Sequence, residues 1–129
     1  MIVLDTHAWL WWVSDPERLS AAVREAVEAP ESVGVSAVSC WEVVMLHVRG
    51  RIALDREPRL WVKAALAADG AEPLPLGSDA AVEAALLDRR GFPGDPADRM
   101  IYATARAAGA PLATKDQALR RFDPSGTVW

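Results

Sequence analysis

The sequence predicts an α/β fold, with a small central parallel sheet of four or five short strands and helices on both faces. Two observations lead to this prediction. Short apolar segments end in polar residues, which is typical of buried parallel strands. Stretches of helical composition, many with capping residues at their start, alternate with these segments along the chain. Such alternation is typical of a parallel sheet that helices cover on both sides.

The first half of the chain begins with this alternation. The predicted elements are a strand at 1–6, helices at 7–13 and 21–29, a strand at 32–36 and a helix at 37–49. Ser20 and Ser36 are placed to cap the second and third helices, and Pro30 and Gly50 are placed to end them. The pair Asp15-Pro16 breaks the first helix.

The second half continues with shorter segments. The predicted elements are a helix at 58–70, a strand at 71–77, a helix at 78–91, a helix from Pro96, a strand at 110–114, a helix at 115–122 and a strand at 126–129. The strand at 71–77 contains prolines, which restrict it to an edge of the sheet. The helix at 58–70 has a proline at its start and a glycine at its end.

Length and composition narrow the class of protein. With 129 residues, we expect a single domain over 1–129. The net charge of −4 argues against a protein that simply coats nucleic acid, but it is compatible with an acidic site that a cation neutralises. Cys40 is the only cysteine, which excludes an internal disulfide and a cysteine-based zinc site. Neither a membrane-spanning run nor a secretory signal is present, so we expect a cytoplasmic protein.

We interpret the basic and aromatic residues as parts of the surface, the core or a dimer interface rather than of a functional site. The arginines at 49, 51, 56, 59, 89 and 90 are typical of a solvated surface. We expect the tryptophans at 9, 11, 12 and 41 in the core or at a dimer interface rather than stacked on bases. His7 is interpreted as a hydrogen-bonded residue at a helix start, with contact to a functional site as the alternative.

Two aspartates follow predicted strands. Asp5 comes directly after the first strand, and Asp116 comes shortly after the strand at 110–114. Sites in open parallel sheets form beyond the carboxyl ends of the strands. Taken singly, each aspartate is also typical of a helix cap.

Two further carboxylates lie on predicted helices. Glu42 borders the apolar stripe of its helix, where a surface glutamate is the simple interpretation. Asp95 and Asp98 fit a helix start in which Asp95 is the cap. Capping does not explain why Asp98 shares a helix face with Ile101 and Ala105. A carboxylate that faces a core needs a partner or a metal ion.

The four acids together predict a metal site. One doubly wound sheet could bring together Asp5, Glu42, Asp98 and Asp116. Two carboxylates about 5 Å apart repel each other by about 3 kcal/mol at an effective dielectric constant of about 20, so several in one pocket need cations among them. Oxygen ligands select Mg²⁺ or Mn²⁺, and such ions support phosphodiester hydrolysis.

Five short motifs carry a family resemblance. The chain resembles PIN-domain ribonucleases, specifically the VapC-type toxins of bacterial toxin–antitoxin pairs. The matching stretches are "LDTHAWLWW" at 4–12, "VSAVSCWEVVM" at 35–45, "DPADRMIYATA" at 95–105, "LATKD" at 112–116 and the terminal "TVW". Each motif alone is weak, but their order and spacing agree over essentially the whole chain.

The resemblance implies roles for individual residues. It implies that Asp5, Glu42, Asp98 and Asp116 form a catalytic metal-site quartet. It also implies that Thr6 and Thr114 provide hydroxyls that orient a carboxylate or bound water. Asp95 supplements the site or caps the helix, and we favour the cap. Arg99 pairs with a nearby carboxylate or contacts phosphate. Leu46 departs from the family, because relatives often have lysine at this position.

The resemblance also implies an activity and partners. It implies an endoribonuclease that uses Mg²⁺ or Mn²⁺ to cleave RNA, forms a homodimer and is silenced by a VapB-like antitoxin. Two alternatives remain at this point. One is a receiver-type domain that accepts a phosphoryl group, although the sequence has no apolar strand ending in aspartate between residues 50 and 75. The other is a catalytically silent PIN-like binding module, against which the complete set of four acids argues.

Overall fold

A five-stranded parallel sheet forms the centre of the fold. The computed structural model describes residues 1–29 and 31–129, so the predicted role of Pro30 lies outside the described residues. The strands are β1 (Ile2–Leu4), β2 (Val33–Ser36), β3 (Ala71–Leu74), β4 (Leu112–Ala113) and β5 (Thr127–Val128). Their order is β3-β2-β1-β4-β5, and every adjacent pair is parallel. The predicted class of sheet is confirmed.

Helices follow four of the strands. They are α1 (Thr6–Ser14), α2 (Ala21–Glu28), α3 (Ala37–Val48), α4 (Pro58–Leu66), α5 (Ser78–Leu86), α6 (Pro96–Ala107) and α7 (Gln117–Phe122), with 3₁₀ turns at Pro16–Arg18 and Leu87–Arg90. Ser20 and Ser36 accept backbone hydrogen bonds from Val23 and Val38, as the sequence predicts for caps. The predicted helix at 78–91 is instead α5 followed by a 3₁₀ turn, which ends at Gly91 with φ of +69°.

Side chains of the strands alternate between two cores. Ile2 and Leu4 of β1 face the core that contains Trp9 of α1, whereas Val3 faces the core that contains Ile101 of α6. This alternation follows from the two-residue repeat of an extended strand. The sheet is therefore covered by helices on both faces.

The tryptophans differ in environment. Trp9 is fully buried and makes an edge contact with Trp61, with ring centroids 5.2 Å apart. Trp41 has 57% of its surface exposed, because α3 uses Val38 and Val43 to pack against the rest of the chain. For Trp41 the core interpretation is wrong, and its place at a dimer interface stays a prediction.

Strand β3 lies at an edge, as its prolines predict. Its register pairs Val33 with Ala71 and Val35 with Pro73. In a parallel ladder of this register, the backbone nitrogens of residues 71 and 73 point away from β2. Ala71 donates its N–H to the carbonyl oxygen of Ala68, and Pro73 has no N–H to donate.

The register brings the carboxyl ends of three strands together. Leu4 pairs with Val35 on one side and Ala113 on the other. The residues that follow β1, β2 and β4 therefore start from the same edge of the sheet. The strand order also differs from the 2-1-3-4-5 order of receiver-type folds. Within the described ranges, the helices are too short or too polar to cross a membrane.

Candidate metal centre

An acidic pocket of about 520 Å³ opens at this edge of the sheet. It is lined by five carboxylates, those of Asp5, Glu42, Asp95, Asp98 and Asp116. The structure thus brings the four predicted acids into one pocket and adds Asp95 to them. Two basic side chains, Arg51 and Lys115, line the same pocket.

Asp5 lies at the bottom of this arrangement, directly after β1. Its Oδ1 accepts the N–H of Ala8 at 2.8 Å and so caps α1. Burial raises the pKa of the Asp5 carboxyl above its ordinary value, and the negative charge of Glu42 acts in the same direction. The bond from Ala8, the hydroxyl of Thr114 and the nearby His7 oppose this rise in pKa.

Three carboxylates form the tightest cluster. One oxygen each of Glu42, Asp95 and Asp98 can be chosen so that all three lie within 4.8 Å of one another. Glu42 comes from α3, and the two aspartates come from the start of α6. The packing of α3 against α6 therefore builds this cluster.

Asp98 is half-buried at the first turn of α6. Its backbone N–H donates to Asp95 Oδ1 at 2.9 Å, and its Oδ2 accepts the N–H of Asp95 at 3.3 Å. Burial raises the pKa of Asp98 to about 7, and the charges of Asp95, Glu42 and Asp5 add to this rise. Asp98 is thus a carboxyl group that holds a proton near neutral pH unless a cation replaces it.

Asp116 lines the pocket and follows β4. Its Oδ1 accepts backbone hydrogen bonds from Ala118 at 2.9 Å and Leu119 at 3.1 Å, and so caps α7. Its own N–H donates to Thr114 Oγ1 at 3.2 Å. Thr114 is buried and touches both Asp5 and Asp116, so it links two of the acids.

Capping a helix and binding a cation are compatible for these side chains. Asp5, Asp95 and Asp116 each use Oδ1 as the cap. A carboxylate has a second oxygen with free lone pairs, so the cap fixes its orientation while the other oxygen remains a potential ligand. From the sequence alone, capping a helix and binding a cation are alternative roles for these aspartates, whereas the geometry is compatible with both roles.

Two residues with expected supporting roles lie elsewhere. Thr6 donates its hydroxyl to Ser39 Oγ at 3.2 Å in a buried contact between α1 and α3, and it is not among the described residues that line the pocket. The expectation that Thr6 orients a carboxylate or bound water therefore stays a prediction. Arg99 pairs with Asp88 at 3.1 Å, and its Nε donates to the carbonyl oxygen of Gly94 at 3.3 Å.

Several pocket residues were not predicted as site residues. From the sequence alone, Arg51 is interpreted as part of the solvated surface, and Lys115 has no role beyond its place in the "LATKD" motif. His7 lines the pocket, which favours the alternative interpretation of this residue. Trp11 and Leu46 complete the wall. Leu46 lies one helical turn after Glu42, and this spacing is the sequence signal that could have predicted its place in the pocket wall.

The donor set fits a hard divalent cation. Five carboxylates supply only oxygen ligands, which suit Mg²⁺ and Mn²⁺. The tightest three carboxylates, Glu42, Asp95 and Asp98, already have oxygens within 4.8 Å of one another and would be the nearest donors to one such ion. Burial is the main cause of the raised pKa values of Asp5 and Asp98, and the negative charges of neighbouring carboxylates add to it.

Comparison with known proteins gives the family. The profile of the PIN domain family matches residues 2–124. The chain belongs to the PIN domain family. The resemblance carried by the five sequence motifs is thereby confirmed. This PIN-domain chain is also 38% identical to Ribonuclease VapC22 of Mycobacterium tuberculosis over 130 residues, which cover 99% of the chain and 98% of that protein.

Solved structures share the PIN fold over the whole chain. VapBC2 from Rickettsia felis, bound to a DNA fragment from its promoter, has a TM-score of 0.69 at 14% identity and covers 99% of this chain and 98% of its own. VapC20 from Mycobacterium tuberculosis, described as a toxin that cleaves the sarcin-ricin loop, has a TM-score of 0.64 at 20% identity and covers 99% and 97%. At these identities the likeness concerns the fold.

Gly94 is expected to be required for the position of Asp98. A Cβ at residue 94 would lie 2.6 Å from Asp98 Cβ and 2.6 Å from the Phe92 ring, so Gly94→Ala must displace Asp98. We expect the affinity for Mn²⁺, measured by isothermal titration calorimetry, to fall about 10- to 100-fold. The control is Gly77→Ala, where a Cβ meets open space. Equal Mn²⁺ affinity of the two variants would contradict this role of Gly94.

The stability of the metal-free protein is expected to fall as pH rises. The folded-state pKa of Asp98 is about 7 against an ordinary value of 3.8, so the folded chain binds this proton more tightly than the unfolded chain. The resulting stabilisation is complete below the lower value and is lost as pH rises through about 7. Melting temperatures in chelator between about pH 4 and 8 test this, with the fall expected up to about pH 7 and Asp98→Asn as the comparison. A pH dependence that Asp98→Asn leaves unchanged would assign the effect to other groups.

Proposed function

We propose that this chain is a metal-dependent endoribonuclease and the toxin of a toxin–antitoxin pair. The observation that carries the proposal is the convergence of five carboxylates in one pocket on a PIN fold. The similarity to Ribonuclease VapC22 over nearly the full length of both chains supports the same class of activity. The whole chain acts as one PIN domain in this proposal, and the cation is Mg²⁺ or Mn²⁺.

The acids have distinct parts in the proposed site. Asp5, Glu42 and Asp98 hold the cation, and Asp116 completes the pocket or helps to hold a second ion. A bound Mg²⁺ or Mn²⁺ supplies the Lewis acidity that activates water and stabilises the charge that develops on the phosphate. The chain itself orients the carboxylates of Asp5, Asp95 and Asp116 through helix caps, and the hydroxyl of Thr114 lies beside Asp5.

Asp95 is both a cap and a member of the site in this proposal. Its Oδ1 caps α6, while its carboxylate belongs to the cluster with Glu42 and Asp98. The negative charge that raises the pKa of Asp98 also attracts a divalent cation into the pocket. Asp95 thus strengthens the preference of the pocket for a divalent ion even where it does not bind the ion directly.

The partners follow from the class of protein. We propose that the chain binds an antitoxin of the VapB type, forms a homodimer and acts in the cytoplasm, where RNA is present. A toxin–antitoxin complex from Klebsiella pneumoniae has the same fold, with a TM-score of 0.68 at 19% identity over 100% of this chain and 97% of that one. The exposed Trp41 is consistent with a surface that another chain covers.

RNA cleavage should depend on the acidic pocket and on a divalent cation. We expect the wild-type protein to cleave RNA with Mn²⁺ or Mg²⁺ and to stop with a chelator. Asp5→Asn and Asp98→Asn should each lower kcat/KM by at least about 100-fold, since changes outside the ligand sphere already cost about 10- to 100-fold.

The control for RNA cleavage is Asp79→Asn, which removes an exposed carboxylate of α5 and should leave the rate unchanged. Cleavage by Asp98→Asn at the wild-type rate would overturn the assigned site. A wild-type protein that binds RNA but never cleaves it would support the silent binding module instead.

Expression of the chain alone should arrest bacterial growth. The expected cause is loss of RNA, so Asp98→Asn, expressed to the same level, should permit growth. Growth curves with matched immunoblots check this expectation. Normal growth in the presence of active wild-type enzyme would contradict the toxin assignment while leaving the nuclease assignment intact.

A further inference from the structure

The charge of the acidic pocket raises a problem for an RNA substrate. Five carboxylates line the pocket, and one divalent cation neutralises only two of their charges. Each phosphodiester of RNA is itself negatively charged, so the acidic pocket also repels the phosphates next to the scissile one. If the chain is a ribonuclease, as proposed above, cations at the mouth of the pocket must hold the strand.

Arg51 provides such a cation on the α3 side. Gly50 adopts φ of +70°, which ends α3 and turns the chain back. The N–H of Arg51 then donates to the carbonyl oxygen of Leu46 at 2.9 Å, and the N–H of Leu54 donates to His47 Nδ1 at 3.3 Å. These bonds fix the turn, so the exposed Arg51 side chain lies at the wall of the acidic pocket.

Lys115 provides a second cation on the α7 side. It lies between β4 and α7, and its Nζ is 5.7 Å from the ring centroid of Trp11, which also lines the pocket. The Trp11 ring is held in turn by Trp129, with centroids 5.8 Å apart, and by the guanidinium of Arg18 at 4.5 Å. Lys115 is therefore kept near the pocket although it is exposed.

The strand order attaches the elements that carry the two cations on opposite sides of β1, which Asp5 follows. Asp5 follows β1, whereas α3 follows β2 on one side of β1 and Lys115 follows β4 on the other. Among the described residues, neither Arg51 nor Lys115 forms an ion pair with a carboxylate. Both side chains are thus free to bind an external anion.

We propose that Arg51 and Lys115 bind the phosphates on either side of the scissile one. The RNA strand then crosses the pocket from the α3 side to the α7 side, with the scissile phosphate above Asp5. Contacts to phosphates fix the register of a strand but do not read its sequence. The two residues therefore hold the substrate, and the choice of RNA sequence belongs to other groups.

The test compares RNA binding and turnover in matched variants. Binding of a short fluorescein-labelled single-stranded RNA is measured by anisotropy over a range of salt concentrations, with Ca²⁺ in place of Mg²⁺ to avoid cleavage. Arg51→Ala and Lys115→Ala should each weaken binding about tenfold and lower the slope of log K against log salt by about 0.7, the value for one phosphate contact to a single strand. With Mg²⁺, KM should rise while kcat changes little.

Two controls have the same change of charge away from the pocket. Arg24→Ala on α2 and Lys63→Ala on α4 both remove an exposed cation and should leave the slope unchanged. Arg51→Lys should retain the slope, because the positive charge remains. Melting temperatures of all variants test whether a lost cation instead weakens the fold.

The outcomes separate this inference from the proposed function. A wild-type protein that neither binds nor cleaves RNA would overturn the proposed function. A wild-type protein that cleaves RNA, with Arg51→Ala and Lys115→Ala indistinguishable from the controls, would overturn only the inference. A change of slope in just one of the two variants would also overturn it, since the strand would then not cross between them. A lower melting temperature with unchanged KM would assign these cations to stability.

Discussion

Carboxylates that cap helices at one edge of a parallel sheet are the constraint on which the rest of this structure depends. Asp5, Asp95 and Asp116 each accept a backbone N–H at the start of a helix, and the three helices begin around one pocket. The partial positive charge at each helix start favours the carboxylate that caps it. The fold can therefore gather negative charge that would otherwise keep these residues apart.

The sequence predicts the parts of this arrangement that local chemistry decides. Strand ends, caps and the four acids follow from short motifs, and the parallel sheet follows from their alternation. Asp95 joins the cluster only because α3 packs against α6, and no local pattern records that contact. The hydroxyl of Thr6 points to Ser39 for the same reason, since helix packing decides its partner. Arg51 resembles any surface arginine until the turn at Gly50 places it beside the pocket.

The apolar face of α6 explains how the pocket keeps its shape despite its charge. Ile101 and Ala105 are buried in the core beneath the sheet, so the first turn of α6 cannot move away when its carboxylates repel each other. Phe92 packs against Tyr102 of the same helix, with centroids 5.1 Å apart, and supports the segment that leads to Gly94. Burial of apolar surface thus offsets the electrostatic cost of the site.

The edge of β3 limits how any other chain can attach. Ala71 has already given its outward N–H to Ala68, and Pro73 has none, so this side of the sheet lacks the donors that an added strand requires. At the other edge, β5 has only two residues. Neither edge therefore offers a long row of unpaired donors. A chain that covers the pocket is therefore expected to contact mainly helices and side chains, and pairing of strands between copies is disfavoured.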